Sequence, residues 1–134
     1  MKVDVVLPAA GSSERMNLPT AKQFLKVLGS HILAYTVDCF HRLSWVRHIV
    51  VVVGADQLEF TRELMASYGF NRVVVCSGSH TRHRSIFCGL KALKSECSSS
   101  DVVIIHDAAR PFVSEQVATA VAEAAMTHGA AGMT

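Results

Sequence analysis

The sequence predicts an α/β fold in which a doubly wound, mostly parallel sheet carries helices on both of its faces. Three observations lead to this class. Apolar runs rich in β-branched residues recur along the chain, each run is continuous rather than alternating, and segments with helical spacing separate the runs. Such alternation implies right-handed βαβ crossovers, and these folds bind ligands at the carboxyl ends of their strands. Functional residues are therefore expected where the apolar runs end.

Strands and helices alternate in the predicted order. The predicted strands are Val3 to Leu7, Ile49 to Val53, Val73 to Val75 and Val102 to Ile105. Apolar residues at helical spacing predict the helices, which pass through Leu33, Val37 and Phe40, through Leu58, Leu64 and Met65, through Ile86, Leu90 and Leu93, and through Val117, Val121 and Ala125. Gly129 suits the end of the last helix, and the apolar residues after it indicate a further strand.

Length and composition predict one domain. The 134 residues are 50% hydrophobic and 18% charged, which excludes disorder and leaves no room for two full-sized domains. A net charge of +2 argues against a dedicated nucleic-acid domain. The four cysteines form no CxxC pair or regular framework, so we expect a reduced, cytoplasmic compartment. No signal-peptide pattern occurs, and no stretch reaches the ~20 apolar residues of a membrane span.

The first predicted strand is followed by the small-residue segment PAAGSSERM at positions 8–16. Small side chains let backbone N–H groups approach an anion, so a phosphate is expected here, although the single glycine fits neither a P-loop nor a dinucleotide fingerprint. A tight turn without a ligand is the alternative. Arg15 and Lys22 follow, and two such cations can neutralise charge that develops during phosphoryl transfer. The alternative for them is a solvated basic loop.

The third predicted strand is followed by SGSHTRHRS at positions 77–85, where Ser85 is placed to begin a helix. Hydroxyls and helix-terminal N–H groups bind nucleobases and phosphates, while helix capping alone is the alternative. Arg82, His83 and Arg84 lack the interleaved aromatic residues that single-stranded RNA recognition requires. The segment therefore predicts a small ligand rather than a nucleic acid.

The fourth predicted strand ends in IHDAARP at positions 105–111. Asp107 at a strand's carboxyl end is well placed to hold Mg²⁺, which prefers carboxylate and phosphate oxygens. Arg110 can orient this carboxylate or bind an anionic substrate, and a buried pair between Asp107 and Arg110 is the alternative. Zinc-ligand spacing and a GxSxG elbow are both missing from the sequence, which argues against a zinc site and a Ser-His-Asp hydrolase.

Taken together, these motifs resemble the polyol-phosphate cytidylyltransferase family. The resemblance is carried by PAAG with ERM and AKQF, by TRHRSIFCGLKAL, and by IIHDAARPFV, and it runs along the whole chain. It implies a Rossmann-like fold of the nucleotide-diphospho-sugar transferase type and the conversion of CTP and a polyol phosphate to a CDP-polyol and pyrophosphate. The letters look closest to the animal branch, which uses D-ribitol 5-phosphate in protein O-mannosylation. The branch that uses 2-C-methyl-D-erythritol 4-phosphate in isoprenoid biosynthesis comes next.

The resemblance also implies roles for individual residues. The catalytic cations would be Arg15 and Lys22. The nucleotide-binding residues would be Ala9, Ala10, Gly11, Gly78, Ser85 and Asp107. Asp107 would also hold Mg²⁺, and Arg82 and Arg110 would support the substrate or the loop.

Three places depart from the family pattern. Ser13 replaces the usual second glycine of the loop, Ala21 replaces the proline before Lys22, and Ser79 with His80 replaces a Gly-Asp pair. The family continues further, with a dimerisation arm and the groups that hold the polyol phosphate. Residues 1–134 are therefore expected to be a CTP-binding domain without its C-terminal part, from a family of homodimers. Two alternatives stay open: a short product that binds CTP without turnover, and a nucleotidyltransferase for another sugar phosphate.

Overall fold

The structure is a computed structural model that describes residues 3–9, 26–27, 30–78, 81–96, 102–108 and 114–128. Within these ranges the strands are β1 (Val3–Pro8), β2 (Lys26–Val27), β3 (Ser30–His31), β4 (Val46–Val53), β5 (Val73–Ser77) and β6 (Val102–Ile105). The helices are α1 (Ile32–His41), α2 (Leu58–Ser67), α3 (Arg82–Glu96) and α4 (Glu115–His128). None of these described helices is long and apolar enough to cross a membrane. The strand predicted after Gly129 lies outside the described residues.

The four longer strands form a parallel sheet in the order β5-β4-β1-β6. The chain moves outward from β1 to β4 and β5, then returns past β1 to place β6 on its other side. This reversal lies between β1 and β6, which is the position where open α/β sheets bind ligands. The register sets Pro8 beside Val52 and Val53 beside Ser77. The strands therefore end at a common edge, called the carboxyl edge below.

Helices cover both faces of the sheet, as the sequence predicts. On one face, side chains such as Val5, Leu7 and Val51 pack with α1, α2 and α4. On the other face, Val6, Val50 and Val52 pack against α3. Because β1 and β4 are central, nearly every residue in them is buried, which explains why their apolar runs do not alternate.

The inner faces of α3 and α4 differ from the predicted ones. Leu90 and Val117 are 36% and 38% exposed, whereas Gly89 and Ala122 are buried. A Cβ on Gly89 would lie 2.7 Å from Cγ1 of Val6, so α3 approaches β1 more closely than a larger residue allows. Small residues therefore face the sheet, and their larger neighbours turn outward. The predicted coverage of all four strands on both faces also fails at β6, where Ile105 is 44% exposed.

A buried ion pair closes the opposite end of the sheet. Asp4 is 0% exposed, and its carboxylate accepts hydrogen bonds from Nη2 of Arg47 at 2.7 Å and Nε at 3.3 Å. The backbone N–H of His48 donates to the same carboxylate at 3.0 Å. The pairing of β1 with β4 shifts register between Val3 and Asp4, so Asp4 lies beside His48. Asp4 is thus a structural residue at the end of the sheet away from the carboxyl edge.

Candidate functional site

Three loops leave the carboxyl edge from fixed positions. The backbone N–H of Ala9 donates to the Val52 carbonyl at 2.6 Å, and that of Gly78 donates to the Val53 carbonyl at 2.7 Å. In the same way, the N–H of His106 donates to the Val6 carbonyl at 3.1 Å. Each hydrogen-bond ladder thus continues one residue past its strand, which fixes where each loop begins.

Ala9 contributes to this edge through its backbone and its small size. It is 4% exposed, and the Val52 carbonyl already accepts a hydrogen bond from its N–H. A phosphate cradle in this loop would therefore draw its N–H groups from residues beyond Ala9. Ala10, Gly11, Arg15 and Lys22 lie outside the described residues.

Helix α3 begins at Arg82, so the prediction that Ser85 begins it is wrong. Thr81 provides the cap, because its Oγ1 accepts a hydrogen bond from the N–H of Arg84 at 3.1 Å. Ser85 lies one turn inside the helix, and its N–H donates to the Thr81 carbonyl at 3.0 Å. The side chain of Ser85 is 1% exposed. The structure describes only the backbone of Arg82, so its predicted support role stays a prediction.

Gly78 and Ser85 meet where β5 ends. A Cβ built on Gly78 would lie 2.7 Å from Oγ of Ser85 and 2.7 Å from Cγ1 of Val52. Both distances are shorter than van der Waals contact, so only glycine fits between the strand β4 and the Ser85 hydroxyl. Two of the residues that the resemblance assigns to nucleotide binding are therefore neighbours in space.

Asp107 follows β6 at the same edge and is half-buried. The residues on either side of it are held in place. The His106 ring packs edge-on against Phe40 of α1 with centroids 5.4 Å apart, and the Ala108 carbonyl accepts a hydrogen bond from Oγ1 of Thr36 at 2.8 Å. Arg110 lies outside the described residues, so its predicted role toward Asp107 or the substrate stays a prediction, and the alternative of a buried pair with Asp107 stays open.

The donor set at this edge fits a metal that is shared with a ligand. Among the described residues, no group of three or more His, Cys, Asp or Glu side chains could hold a metal ion. Mg²⁺ commonly takes one or two carboxylates and completes its shell with water and substrate phosphates. The Asp107 carboxylate, within the part of the chain that the structure describes, is compatible with that mode.

Cys76 is a thiol close to the site in the sequence, and its environment favours the protonated form. Cys76 lies on β5 two residues before Gly78. Burial, with an added contribution from the neighbouring Cys88, raises the pKa of the Cys76 thiol to about 11. At neutral pH the thiol is almost entirely protonated, and a protonated thiol is a poor nucleophile. Cys76 is therefore poorly suited to act as a nucleophile.

The structure brings four predicted site residues to the carboxyl edge: Ala9, Gly78, Ser85 and Asp107. Sequence reasoning missed two polar residues that support them. Thr81 could have been found from its position just before the helical segment, because threonine is a preferred capping residue. Thr36 had no such signal, because its partner Ala108 is 72 positions away in the sequence.

Comparisons with known proteins give a consistent result. A family model described as IspD: 2-C-methyl-D-erythritol 4-phosphate cytidylyltransferase matches residues 3–134. The D-ribitol-5-phosphate cytidylyltransferase of Xenopus tropicalis is 46% identical over 134 residues, covering 96% of this chain and 33% of that protein. The human protein of the same name is 45% identical over 135 residues, covering 97% of this chain and 30% of the human protein. The chain thus spans about a third of the length of these relatives.

Bacterial relatives and solved structures agree in fold. The 2-C-methyl-D-erythritol 4-phosphate cytidylyltransferase of Halalkalibacterium halodurans is 39% identical over 132 residues, covering 97% of this chain and 56% of that protein. The 4-diphosphocytidyl-2C-methyl-D-erythritol synthase of Anaerococcus prevotii superposes with a TM-score of 0.76 at 30% identity, covering 93% of this chain and 51% of that one. The corresponding Francisella tularensis enzyme has a TM-score of 0.69 at 29% identity, covering 92% and 52%. These structures share the α/β nucleotide-transferase fold.

Proposed function

Because the chain belongs to the IspD family of 2-C-methyl-D-erythritol 4-phosphate cytidylyltransferases, we propose that it forms the CTP-binding part of an enzyme that makes a CDP-polyol and pyrophosphate from CTP and a polyol phosphate. One observation supports this most directly. Gly78 and Ser85 meet at the carboxyl end of β5, and Asp107 follows the carboxyl end of β6. The central strands β4 and β1 lie between these two positions. In this proposal the base would lie beside Gly78 and Ser85, and the phosphates would lie beside the loop after β1 and Asp107.

The proposed reaction is an in-line displacement at the α-phosphorus of CTP. A phosphate oxygen of the polyol phosphate forms the new P–O bond, and the bond between the α-phosphorus and the bridging oxygen breaks, releasing pyrophosphate. No covalent enzyme intermediate is needed, so the protein contributes position and electrostatic stabilisation. Ala10 and Gly11 would bind the phosphates through backbone N–H groups, while Arg15 and Lys22 would stabilise the charge of the transition state.

We propose Mg²⁺ as the cofactor, with the carboxylate of Asp107 as its protein ligand. When bound, Mg²⁺ neutralises charge on the phosphate oxygens. Arg110, three residues further on, would orient that carboxylate or bind the anionic substrate, and Arg82 would support the same ligand from the start of α3.

We propose that the second substrate is D-ribitol 5-phosphate, in preference to 2-C-methyl-D-erythritol 4-phosphate. The support is that the relatives named for ribitol are the more identical ones. Protein O-mannosylation would then be the process served. We also propose a cytoplasmic homodimer, which light scattering of the purified protein and localisation of a tagged chain would test.

Calorimetry and a pyrophosphate assay together test this function. CTP, UTP and GTP are titrated separately into the protein in the presence of MgCl₂, and pyrophosphate release is then followed with each polyol phosphate. We expect CTP to bind at least tenfold more tightly than UTP or GTP, and release to be faster with ribitol phosphate. Equal binding of the three nucleotides would contradict the cytosine assignment. CTP binding without pyrophosphate release in the presence of either polyol phosphate would contradict catalysis by this chain.

A further inference from the structure

Helix α1 holds the loop that carries Asp107. The fully buried Thr36 donates from Oγ1 to the Ala108 carbonyl at 2.8 Å. One turn along the same helix, the Phe40 ring packs against His106. Since the N–H of His106 is also bonded to β1 through the Val6 carbonyl, the backbone is anchored immediately before and immediately after Asp107.

The anchor at Ala108 is buried and depends on one hydroxyl proton. Ala108 is 1% exposed, so water has little access to replace the lost partner if the Thr36 hydroxyl is removed. The same hydroxyl lies 3.2 Å from the Ile32 carbonyl of its own helix, but its single proton favours the shorter contact to Ala108. The Thr36 hydroxyl therefore donates to the loop rather than to its own helix.

From this geometry we infer that Thr36 is a positioning residue, which aims the Asp107 carboxylate at the Mg²⁺ and phosphates of bound CTP by holding the Ala108 carbonyl. The inference rests on the proposed function, because it assigns a purpose to the orientation of Asp107. Residues that orient a metal ligand typically change metal affinity or activity by about 10- to 100-fold when they are removed. Thr36 is 0% exposed and holds the loop through the Ala108 carbonyl, so its effect would pass through the backbone beside Asp107.

Thr36→Val tests this because valine has the same shape but no donor, and Thr36→Ser restores the donor. Thr61→Val is a matched control. Thr61 is also fully buried in a helix, and its hydroxyl donates to the Gln57 carbonyl at 2.7 Å within α2. Calorimetry measures CTP affinity without added metal and across a series of MgCl₂ concentrations. Hydrogen exchange measures protection of His106 to Ala108.

For Thr36→Val we expect at least a tenfold rise in the MgCl₂ concentration that gives half-maximal CTP binding, unchanged metal-free binding, and faster exchange at His106 to Ala108. Thr36→Ser and Thr61→Val should stay within about twofold of the unsubstituted chain, inside the scatter of such measurements. A merely structural role would instead weaken CTP binding equally with and without metal. If Thr36→Val does not fold, Thr36→Ala replaces it in every measurement, with the same expectations.

The two proposals fail differently. If the unsubstituted chain does not bind CTP, the proposed function is overturned and this inference with it. If it binds CTP with a clear dependence on MgCl₂, and Thr36→Val leaves that dependence unchanged, only the inference is overturned. Unchanged exchange at His106 to Ala108 in Thr36→Val would also overturn it.

Discussion

Gly78 is packed so closely that there is no space for a side chain. Any side chain there would meet Ser85 and Val52, since a Cβ would lie 2.7 Å from an atom of each. We predict that Gly78→Ala lowers the free energy of unfolding by about 1–3 kcal/mol through overpacking. It should also weaken CTP binding, because Ser85 must move. Chemical denaturation and calorimetry measure the two effects.

Gly69 provides the control for that substitution. It has φ of 75° and nothing within 4 Å of its Cβ position, so Gly69→Ala costs stability through backbone strain alone. We expect a loss of about 1–2 kcal/mol with no change in CTP affinity. Equal loss of CTP affinity in both variants would contradict a specific role for the contact between Gly78 and Ser85.

Lys22 is expected to act on the rate of the reaction rather than on CTP binding. We predict that Lys22→Ala lowers the rate of pyrophosphate release by about 10² or more while CTP affinity changes little, since the proposed role of the lysine is to stabilise charge that develops only in the transition state. Lys91→Ala is the control, because Lys91 is exposed on α3 with its Nζ over the Phe87 ring. A release rate for Lys22→Ala within about twofold of Lys91→Ala would contradict the catalytic assignment.

Cys76 allows a test based on pH. Its pKa is raised from 9.0 to about 11 in the folded protein. The stabilisation of the neutral thiol is therefore complete below pH 9 and is lost as the pH rises through about 11. At pH 8 we predict that iodoacetamide labels Cys76 about 100-fold more slowly in the native chain than in urea, because the thiolate fraction falls with the raised pKa. Peptide mass spectrometry measures this, and equal rates in both states would contradict it.

The pairing of β1 with β4 depends on a charge that is buried between them. Asp4 is 0% exposed and holds Arg47 in a two-bond contact. We predict that Asp4→Ala lowers the free energy of unfolding by about 3–5 kcal/mol, because it leaves a cation without its carboxylate. Urea denaturation measures the loss.

A second pair in the same chain gives the comparison. Arg62 and Glu59 are 3.0 Å apart on the surface of α2, with side chains 52% and 79% exposed. Glu59→Ala should cost less than about 1 kcal/mol, since water solvates both charges already. Similar losses in Asp4→Ala and Glu59→Ala would show that burial of Asp4 does not matter.

The strands were predictable because their signal is local. Continuous apolar runs gave the central strands, but β4 begins three residues before the predicted Ile49. Arg47 and His48 hid that start, because they are polar and bond to Asp4 more than forty positions earlier. The short pair β2 and β3 was missed, since two residues are too few to show a pattern.

The helix faces and the site were predictable to different degrees. The spacing of apolar residues predicted α3 and α4, but it did not predict that Gly89 and Ala122 face inward. Large apolar residues dominate a hydrophobic periodicity, whereas small residues determine how closely a helix packs on the sheet. The placement of Gly78, Ser85 and Asp107 at one edge was predictable because parallel topology brings strand ends together. The contact of Thr36 with this edge was not, since its partner carbonyl is brought near only by folding.

In the sheet that the structure describes, the candidate site and the buried ion pair lie at opposite ends. Ala9, Gly78 and Asp107 follow strands at the carboxyl edge, while Asp4 and Arg47 close the opposite end. Substitutions at the two ends should therefore have different effects. Those at Asp4 should lower the free energy of unfolding and leave the CTP affinity of the folded chain unchanged. Those at the carboxyl edge should mainly change CTP affinity.

The most direct test is an NMR titration of the ¹⁵N-labelled chain with CTP and MgCl₂, which reports on every assigned backbone amide at once. Shifts should be largest at Gly78, Ser85 and Asp107 and small at Asp4 and His48. Shifts that cluster around Asp4 and His48, or a spectrum that CTP leaves unchanged, would contradict a nucleotide site built from the ends of parallel strands.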